Sequence, residues 1–491
     1  MLVNRIVLLT ALLVCCSFIA TAKRGFNPHI DLRYHPLHRM SSSFDDVSSS
    51  SGSGYTYQWF TQQVDHFDQA NTETFQQRYI VNDDFYVSGG PVFMIINGEG
   101  PMGLNTVSPQ ALQAAAWAQE FNALLVTLEH RYYGASFVTD DLSTDSLEYL
   151  SSQQALADNA VFRQFIAQEY SIPQGSKWVA FGGSYAGALT SWFRIKYPNL
   201  VDFVVASSGP VNAEIDFYQY LEVVQNSLET TANGQQCVAN IAVATQKIQS
   251  MLTESNYGGV NDMFNLCPPL ESDNDVSTFM QSLAGNFMGV VQYNDDGTNN
   301  PDINTLCATM TNEQNDPLTN YLEVWNQFAE GDCVDVSYES MIEELQNTTN
   351  DANTIGGRMW FYQTCTEFGY YQTSDSPNQP FGNLFGYEFN VQQCNDVFGF
   401  DFLPNVNWTH TDYGALNPVG TNVLYVNGKI DPWHALGIYQ NPPIGQSELP
   451  SLFINGSSHC QDMMVPNIFT PSTLPPAQAQ IQAWIQTQLN Q

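Results

Sequence analysis

Basic residues are scarce in this 491-residue sequence, which has 14 Lys and Arg against 49 Asp and Glu and a formal net charge of −35. A surface this acidic repels the phosphates of nucleic acids and the anionic headgroups of membranes, so we expect neither as a partner. Protonation would relieve the repulsion among the carboxylates, so the composition is consistent with a protein that functions in an acidic compartment. Hydrophobic residues make up 43% of the chain, so a wholly disordered protein is excluded.

Long apolar runs are missing beyond the N-terminus. Residues 1–22 combine Arg5, an apolar run over 6–19 and a small-residue site at 20–22, which is the pattern of a cleaved secretory signal. A retained signal anchor is the less favoured alternative, since no later run reaches the roughly 18 apolar residues of a membrane span. We therefore predict no membrane anchor and export through the secretory pathway, to the lysosome or to the extracellular space.

No two cysteines form a C-x-x-C pair, so the sequence predicts neither a zinc site nor a thioredoxin-like centre, and we expect no metal and no cofactor. Seven cysteines follow the signal, and in an exported chain six of them can form three disulfides. The residue pattern leaves every pairing open. Glycosylation sequons at Asn347, Asn407 and Asn455 agree with export.

The remaining chain divides by composition. Residues 23–54 are rich in serine and are predicted to form a flexible leader or pro-segment. Residues 55–211 and 406–491 alternate short apolar runs with helical patterns, which is typical of an α/β fold whose parallel sheet is covered on both faces. Residues 212–405 lack this alternation and hold most of the cysteines. We predict that they form a mainly helical insertion tied by disulfides.

Apolar runs and helical spacing predict the main elements of the α/β part. Ser108 followed by Pro109 predicts a helix from there to about Phe121. Helical spacing also predicts helices over 151–169 and 477–489. The predicted strands are 91–96, 123–128, 178–181, 203–206, 423–426 and 452–454.

Ser184 lies where a predicted strand runs into a helix, with Gly182 two residues before it and Ala186 two residues after it. A strand-to-helix turn that exposes a catalytic serine needs small residues at both places, because the turn is strained and the two elements crowd each other. The usual pattern has glycine where Ala186 stands, which is a mild departure. We predict that Ser184 is a nucleophile; the alternative is a helix-capping serine.

Asp431 and His459 each follow a later predicted strand. A serine hydroxyl becomes a nucleophile when an imidazole takes its proton, and the imidazole needs a carboxylate to fix its tautomer. The order Ser184, Asp431, His459 therefore predicts a catalytic triad. The alternative for Asp431 is a turn former before proline.

Three other histidines could compete for the role of base. His434 lies three residues after Asp431 and is poorly placed to reach Ser184, so we predict that it lines a pocket or packs. His66 and His130 precede the serine, which breaks the expected order, and we predict structural roles for them.

The oxyanion hole of such a site is expected from the backbone N–H of Tyr185 and from an N–H of the loop at Gly98. The same loop contains Gly98-x-Gly100-x-x-Gly103, which matches a dinucleotide-binding fingerprint. Glu99 would repel a pyrophosphate, and the next predicted helix starts too late to bind it. The loop therefore does not predict a nucleotide site.

Several motifs together carry a family resemblance. They are WFTQQVDHF at 59–67, TFQQRY at 74–79, NGEG at 97–100, EHRYYG at 129–134, GGSYAG at 182–187, YQTCTEFG at 362–369, NGKIDPW at 427–433 and GSSHCQD at 456–462. With them the sequence resembles, over roughly residues 55–490, the exported serine peptidases that include lysosomal prolylcarboxypeptidase, dipeptidyl peptidase II and the thymus-specific serine protease. The amino-acid sequences of these motifs are most similar to those of the thymus-specific branch.

The resemblance implies an α/β-hydrolase fold with an inserted helical cap and the triad Ser184, Asp431 and His459. It also implies a Cys365–Cys394 disulfide and leaves Cys460 as the free thiol. The disulfide candidates are then Cys237, Cys267, Cys307, Cys333, Cys365 and Cys394. Well-known members cut next to proline, but the NGEG loop differs from the Asn-Glu-Gly-Asp pattern of those members, so proline dependence stays open.

These observations predict a serine exopeptidase that acts on peptides through an acyl-enzyme at acidic pH. The residues leave open whether it is a carboxypeptidase or a dipeptidyl peptidase. Glu99 is a candidate for binding a substrate amino terminus, the alternative being a structural loop glutamate, and Trp433 and His434 are further candidates for substrate binding. Two different functions also stay open, an esterase or lipase on the same fold and a non-catalytic binding protein. A homodimer is compatible with the sequence.

Overall fold

The computed structural model describes residues 54–491 apart from 254–256, 296–300, 330–332 and 355, together with a two-residue strand at Lys23–Arg24. The predicted signal and the predicted leader, apart from Lys23–Arg24 and Gly54, lie outside the described residues.

Eight strands form one sheet in the order β8-β7-β6-β5-β3-β4-β2-β1. In chain order they are β1 (Gln58–Gln63), β2 (Thr74–Asn82), β3 (Val92–Ile96), β4 (Leu124–Leu128), β5 (Trp178–Gly183), β6 (Phe203–Ser207), β7 (Val423–Gly428) and β8 (Ser451–Ile454). Strands β3 to β8 run parallel, while β1 and β2 add an antiparallel edge. The carboxyl ends of β5, β7 and β8 therefore meet at one edge of the sheet.

Helices cover both faces of this sheet, and side chains of the buried strands alternate between two hydrophobic cores. In β3, for example, Met94 packs in the first core and Phe93 in the second. The helices on the sheet are α1 (Gln113–Glu120), α2 (Ser152–Glu169), α3 (Tyr185–Lys196) and α14 (Leu474–Leu489). Core residues of α2 and α3 belong to the first core, and those of α1 and α14 belong to the second.

The segment between β6 and β7 is mainly helical. Its helices are α4 (Gln219–Leu228), α5 (Gly234–Thr253), α6 (Tyr257–Phe264), α7 (Asp273–Gln292), α8 (Ile303–Met310), α9 (Pro317–Phe328), α10 (Tyr338–Leu345), α11 (Gly357–Gln363), α12 (Tyr387–Phe398) and α13 (Val406–Tyr413). A π-helix at Thr364–Phe368 follows α11, and short parallel strand pairs join Glu214–Asp216 to Gly369–Tyr371 and Lys23–Arg24 to Val334–Asp335. The molecule thus has the α/β-hydrolase fold with a helical cap.

Disulfides tie this cap together. They join Cys237 to Cys307, Cys267 to Cys333 and Cys365 to Cys394, and Cys460 is an unpaired, buried thiol. The side chains of the three sequon asparagines, Asn347, Asn407 and Asn455, are exposed. Among the described helices, none has the length and apolar character needed to cross a bilayer.

The helix predicted from Ser108 is wrong at its start. Residues Leu104–Val107 form a 3-10 helix, and Ser108 closes it by donating its N–H to Asn105. The α-helix begins only at Gln113. Ser108 and Pro109 therefore end one element instead of opening the next.

Candidate active site

Ser184 lies in the sharp turn between β5 and α3. Its φ is +61° and its ψ is −134°, a conformation that costs a non-glycine residue about 1–3 kcal/mol. The neighbouring Gly182 is required by crowding, because a Cβ there would lie 2.3 Å from the carbonyl oxygen of Ala186. The sequence of small residues thus permits a strained turn, which is the geometry of a nucleophile elbow.

Asp431 and His459 form a buried pair beyond the ends of β7 and β8. The Oδ2 of Asp431 lies 2.9 Å from the Nδ1 of His459, within ion-pair range, and both side chains are wholly buried. The Oδ1 of Asp431 accepts the backbone N–H of Trp433 at 2.9 Å, which fixes the carboxylate. A carboxylate at Nδ1 leaves Nε2 as the ring atom that can take a proton.

The chain neighbours of Ser184 and His459 bring the two residues to the same edge of the sheet. A Cβ on Gly183 would lie 2.8 Å from the Sγ of Cys460, so the residues next to the serine and the histidine are in contact. Within the part of the chain that the structure describes, the Nε2 of His459 makes no hydrogen bond. The Oγ of Ser184 instead donates to Oε1 of Glu99 at 3.5 Å. Serine–histidine hydrogen bonds often form only with substrate bound.

Gly98 lies against the first turn of α3. A Cβ at Gly98 would be 3.2 Å from the amide nitrogen of Ala186 and 3.4 Å from the ring of Tyr185. Neither the amide of Gly98 nor that of Tyr185 donates to a backbone carbonyl of the described residues. The N–H of Tyr185 at the N-terminus of α3, together with that of Gly98 in the adjacent loop, is suited to binding a developing negative oxygen.

A buried ion pair anchors the loop that carries Gly98 and Glu99. Glu129 pairs with Arg78, and its Oε1 accepts the backbone N–H of Met102 at 3.0 Å. At the start of the loop, the side-chain amide of Asn97 donates to the backbone carbonyl of Leu128 at 2.8 Å. The motifs at 97–100 and 129–134 thus meet in space, and the second fixes the first beside the serine.

The histidines that precede Ser184 lie in other networks. Nε2 of His130 is 3.2 Å from the hydroxyl of Tyr185, which also accepts from Gln363 at 2.9 Å. Burial lowers the pKa of His130 to about 4, so the ring is neutral at ordinary pH. His66 pairs with Asp158 at 2.8 Å. The hydrogen bonds described for His130 and His66 do not involve Asp431 or His459.

The two residues after Pro432 have different surroundings. The ring of Trp433 lies 6.4 Å from that of His459, centroid to centroid. His434 packs between Tyr439 and Phe453, each at 5.0 Å, and its pKa is lowered by burial. Trp433 is therefore beside the site, whereas the contacts of His434 are those of a packing residue.

A buried carboxyl group beneath the site was not singled out from the sequence. Oδ2 of Asp462 accepts the hydroxyl of Ser207 at 2.6 Å, and the carbonyl of Ser207 accepts the N–H of Ser184 at 3.0 Å. Burial raises the pKa of Asp462 to about 7. Asp462 lies three residues after His459, inside the motif at 456–462. This position was the signal in the sequence by which it could have been found.

Comparison with known proteins identifies the family. The family model described as serine carboxypeptidase S28 matches residues 62–480. The chain belongs to the S28 family. The human thymus-specific serine protease is 36% identical to this S28 protein over 428 residues, which cover 82% of this chain and 81% of the relative. The mouse thymus-specific serine protease is 35% identical and covers 82% of each chain, and mouse lysosomal Pro-X carboxypeptidase is 28% identical and covers 86% of each.

Membership makes this S28 protein a serine-type peptidase that acts on peptides. The predicted family is thus confirmed, including its likeness to the thymus-specific serine protease.

Proposed function

We propose that this peptidase is an exopeptidase with Ser184 as nucleophile, His459 as general base and Asp431 as the residue that orients the imidazole. The observation that carries the proposal is the buried Asp431–His459 contact of 2.9 Å at the same sheet edge as the strained Ser184. Pairing of this kind supports a histidine that takes the serine proton.

The reaction follows from these positions. The Oγ of Ser184 attacks the scissile carbonyl carbon while its proton passes to Nε2 of His459. The N–H groups of Tyr185 and Gly98 bind the oxyanion. Collapse breaks the peptide bond, His459 protonates the leaving amine, and an acyl-enzyme remains. Water then attacks the ester carbonyl carbon while His459 takes its proton. Collapse of this second intermediate breaks the bond to Oγ, His459 returns the proton to Oγ of Ser184, and the carboxylic acid product leaves.

Glu99 supports recognition of a chain end. Its side chain is 4% exposed, and its Oε1 lies 3.5 Å from the Oγ of Ser184. A carboxylate there attracts a protonated amine and repels a substrate carboxylate. This favours release of a short N-terminal fragment, as by a dipeptidyl peptidase. Loss of C-terminal residues, the activity in the name of the family, is the second candidate.

An acidic working pH and an exported location are part of the proposal. The net charge of −35 and the raised pKa of buried carboxyl groups such as Asp462 both favour a folded state at low pH. Three disulfides and exposed sequons support the secretory pathway, with the lysosome or the extracellular space as the destination. The relative named as a Pro-X carboxypeptidase supports a test of proline dependence.

The test uses purified wild-type protein and Ser184→Ala with a peptide library at about pH 5, half of the peptides containing proline, analysed by mass spectrometry. Each peptide is supplied with a free and an acetylated amino terminus. Release of N-terminal fragments only from peptides with a free amino terminus supports a dipeptidyl peptidase. Loss of single C-terminal residues supports a carboxypeptidase. Cleavage by Ser184→Ala, or cleavage of simple esters only, would refute the proposal. Light scattering on the same sample distinguishes a monomer from a homodimer.

A further inference from the structure

Gln292, the last residue of cap helix α7, contacts both the loop that carries Asp431 and the loop that carries His459. The backbone carbonyl of Gln292 accepts the N–H of His459 at 2.9 Å. Its side-chain Oε1 accepts the indole N–H of Trp433 at 3.0 Å, and the backbone N–H of Trp433 in turn donates to Asp431. One cap residue thus joins the Asp431 loop to the His459 loop.

The residues that follow Gln292 extend this connection. The hydroxyl of Ser458 donates to the carbonyl of Asn294 at 2.7 Å, and the side-chain amide of Gln461 donates to the carbonyl of Asp295 at 2.7 Å. Residues on both sides of His459 are therefore bound to the cap. On the cap side, the hydroxyl of Tyr220 in α4 donates to Oε1 of Gln292 at 2.6 Å, which fixes the glutamine.

The backbone contacts between the two loops lie before Asp431 and His459. Strands β7 and β8 pair as far as Gly428 and Ile454, and beyond them the N–H of Ile430 donates to the carbonyl of Ser457 at 3.0 Å. Catalysis requires that the carboxylate and imidazole be held to within a fraction of an ångström, and a misplacement of about 1 Å can cost about 100-fold in rate. Gln292 supplies hydrogen bonds to both loops beyond the end of the sheet.

We propose that Gln292 is a positioning residue that makes the alignment of the Asp431–His459 pair depend on the cap. This inference rests on the proposed triad. The cap then does more than cover the cleft, because its helix α7 supports the catalytic base directly.

The experiment measures phosphonylation of Ser184 by a fluorophosphonate probe, in which Oγ bonds to phosphorus, fluoride leaves and His459 takes the proton. The maximal rate of labelling and the apparent affinity for the probe are measured separately. Gln292→Met removes the Oε1 acceptor at similar volume. We expect its maximal rate to fall about 10- to 100-fold while probe affinity changes less than about 2-fold.

Two variants distinguish positioning from general damage to the cap. Gln292→Glu keeps an oxygen acceptor for Trp433 and Tyr220, so it should restore most of the rate. Ser277→Ala, on the same helix, removes a hydrogen bond of 2.7 Å to the carbonyl of Leu384 within the cap and should label at the wild-type rate. If Gln292→Met does not fold, Tyr220→Phe removes one donor to Oε1 and should slow labelling about 3- to 10-fold.

An unchanged labelling rate in Gln292→Met, an effect on affinity alone, or an equal loss in Ser277→Ala would overturn the inference. Wild-type protein that does not label at Ser184 would overturn the triad and this inference together. Labelling that responds to Gln292 without any release of chain-end fragments would support the inference and refute the exopeptidase.

Discussion

The ionisation of Glu367 should be visible in the stability of the protein. This carboxyl group is buried, and Ser152 donates its backbone N–H to both oxygens, at 3.0 and 3.1 Å, and its hydroxyl to Oε2 at 2.5 Å. Burial penalises the charged form more than these hydrogen bonds stabilise it. The pKa of Glu367 is consequently raised from 4.5 to about 7.

The direction of the effect follows from this pKa. Below pH 4.5 the group is protonated in both the folded and the unfolded chain, so its full contribution to stability is present. As the pH rises to about 7, the unfolded chain releases a proton that the folded chain retains, and the free energy of unfolding falls. Each pKa unit corresponds to about 1.4 kcal/mol, so the loss reaches about 3 kcal/mol above pH 7.

The assay compares wild-type protein with Glu367→Gln by urea denaturation at pH 4.5 and 7.5, followed by tryptophan fluorescence. Glutamine cannot ionise but retains the polar contacts with Ser152. The free energy of unfolding of the wild type should therefore fall by about 3 kcal/mol more than that of the variant between the two pH values. Glu343→Gln, on an exposed glutamate, should follow the wild type. Equal losses in wild type and Glu367→Gln would refute the argument from burial.

Three further predictions concern the active site. Asp431→Asn should leave the fold intact by circular dichroism and lower kcat about 10,000-fold, because the imidazole loses the group that fixes its tautomer; a rate near that of the wild type would contradict the triad. Glu99→Gln should raise KM about 10- to 100-fold for a peptide with a free amino terminus and leave its acetylated form unaffected. Gly182→Ala places a Cβ 2.3 Å from the carbonyl of Ala186, so thermal denaturation should show a loss of about 1–3 kcal/mol together with lost activity.

The parallel strands and the order of the candidate triad could be predicted because both depend on local patterns. Buried parallel strands are continuous apolar runs, and each of β3 to β7 has such a run along its length. Ser184, Asp431 and His459 each follow one of the predicted strands, which is visible without knowledge of the strand order. Their meeting at one edge then follows from the parallel direction.

Strands β1 and β2 were not predicted because their buried positions are partly polar. Along β1, buried and exposed residues alternate from Trp59 to Gln63, and one of the buried residues is Gln62. The side-chain amide of Gln62 donates to Oε1 of Gln77 in β2 at 3.1 Å, and the amide of Gln77 donates to the carbonyl of Glu129 at 2.8 Å, so both buried side chains have partners. A buried amide pair is not recognisable until the strands are paired, and an apolar-run criterion therefore misses this edge of the sheet.

The sequence offered Glu99 only as a candidate for binding a substrate amino terminus, and its contact with Ser184 was not predicted. Glu99 reaches the serine because Glu129 fixes the end of the loop through Met102, and the two motifs are brought together by the pairing of β3 with β4. Each motif is recognisable in the sequence, but the distance between them depends on strand register.

The support of the histidine loop by the cap lies further from what a sequence can show. Three backbone carbonyls, those of Gln292, Asn294 and Asp295, accept the hydrogen bonds from the loop that carries His459. Any residue presents a backbone carbonyl, so these contacts place no requirement on residue type in the cap. Two of the donors are the side chains of Ser458 and Gln461, which belong to the motif at 456–462, but that motif does not show which part of the chain they bind. The side-chain oxygen of Gln292 is different, because it accepts from Trp433, which contacts Asp431, and a substitution can remove it. The proposed dependence of the Asp431–His459 pair on the cap therefore becomes testable at this one side chain.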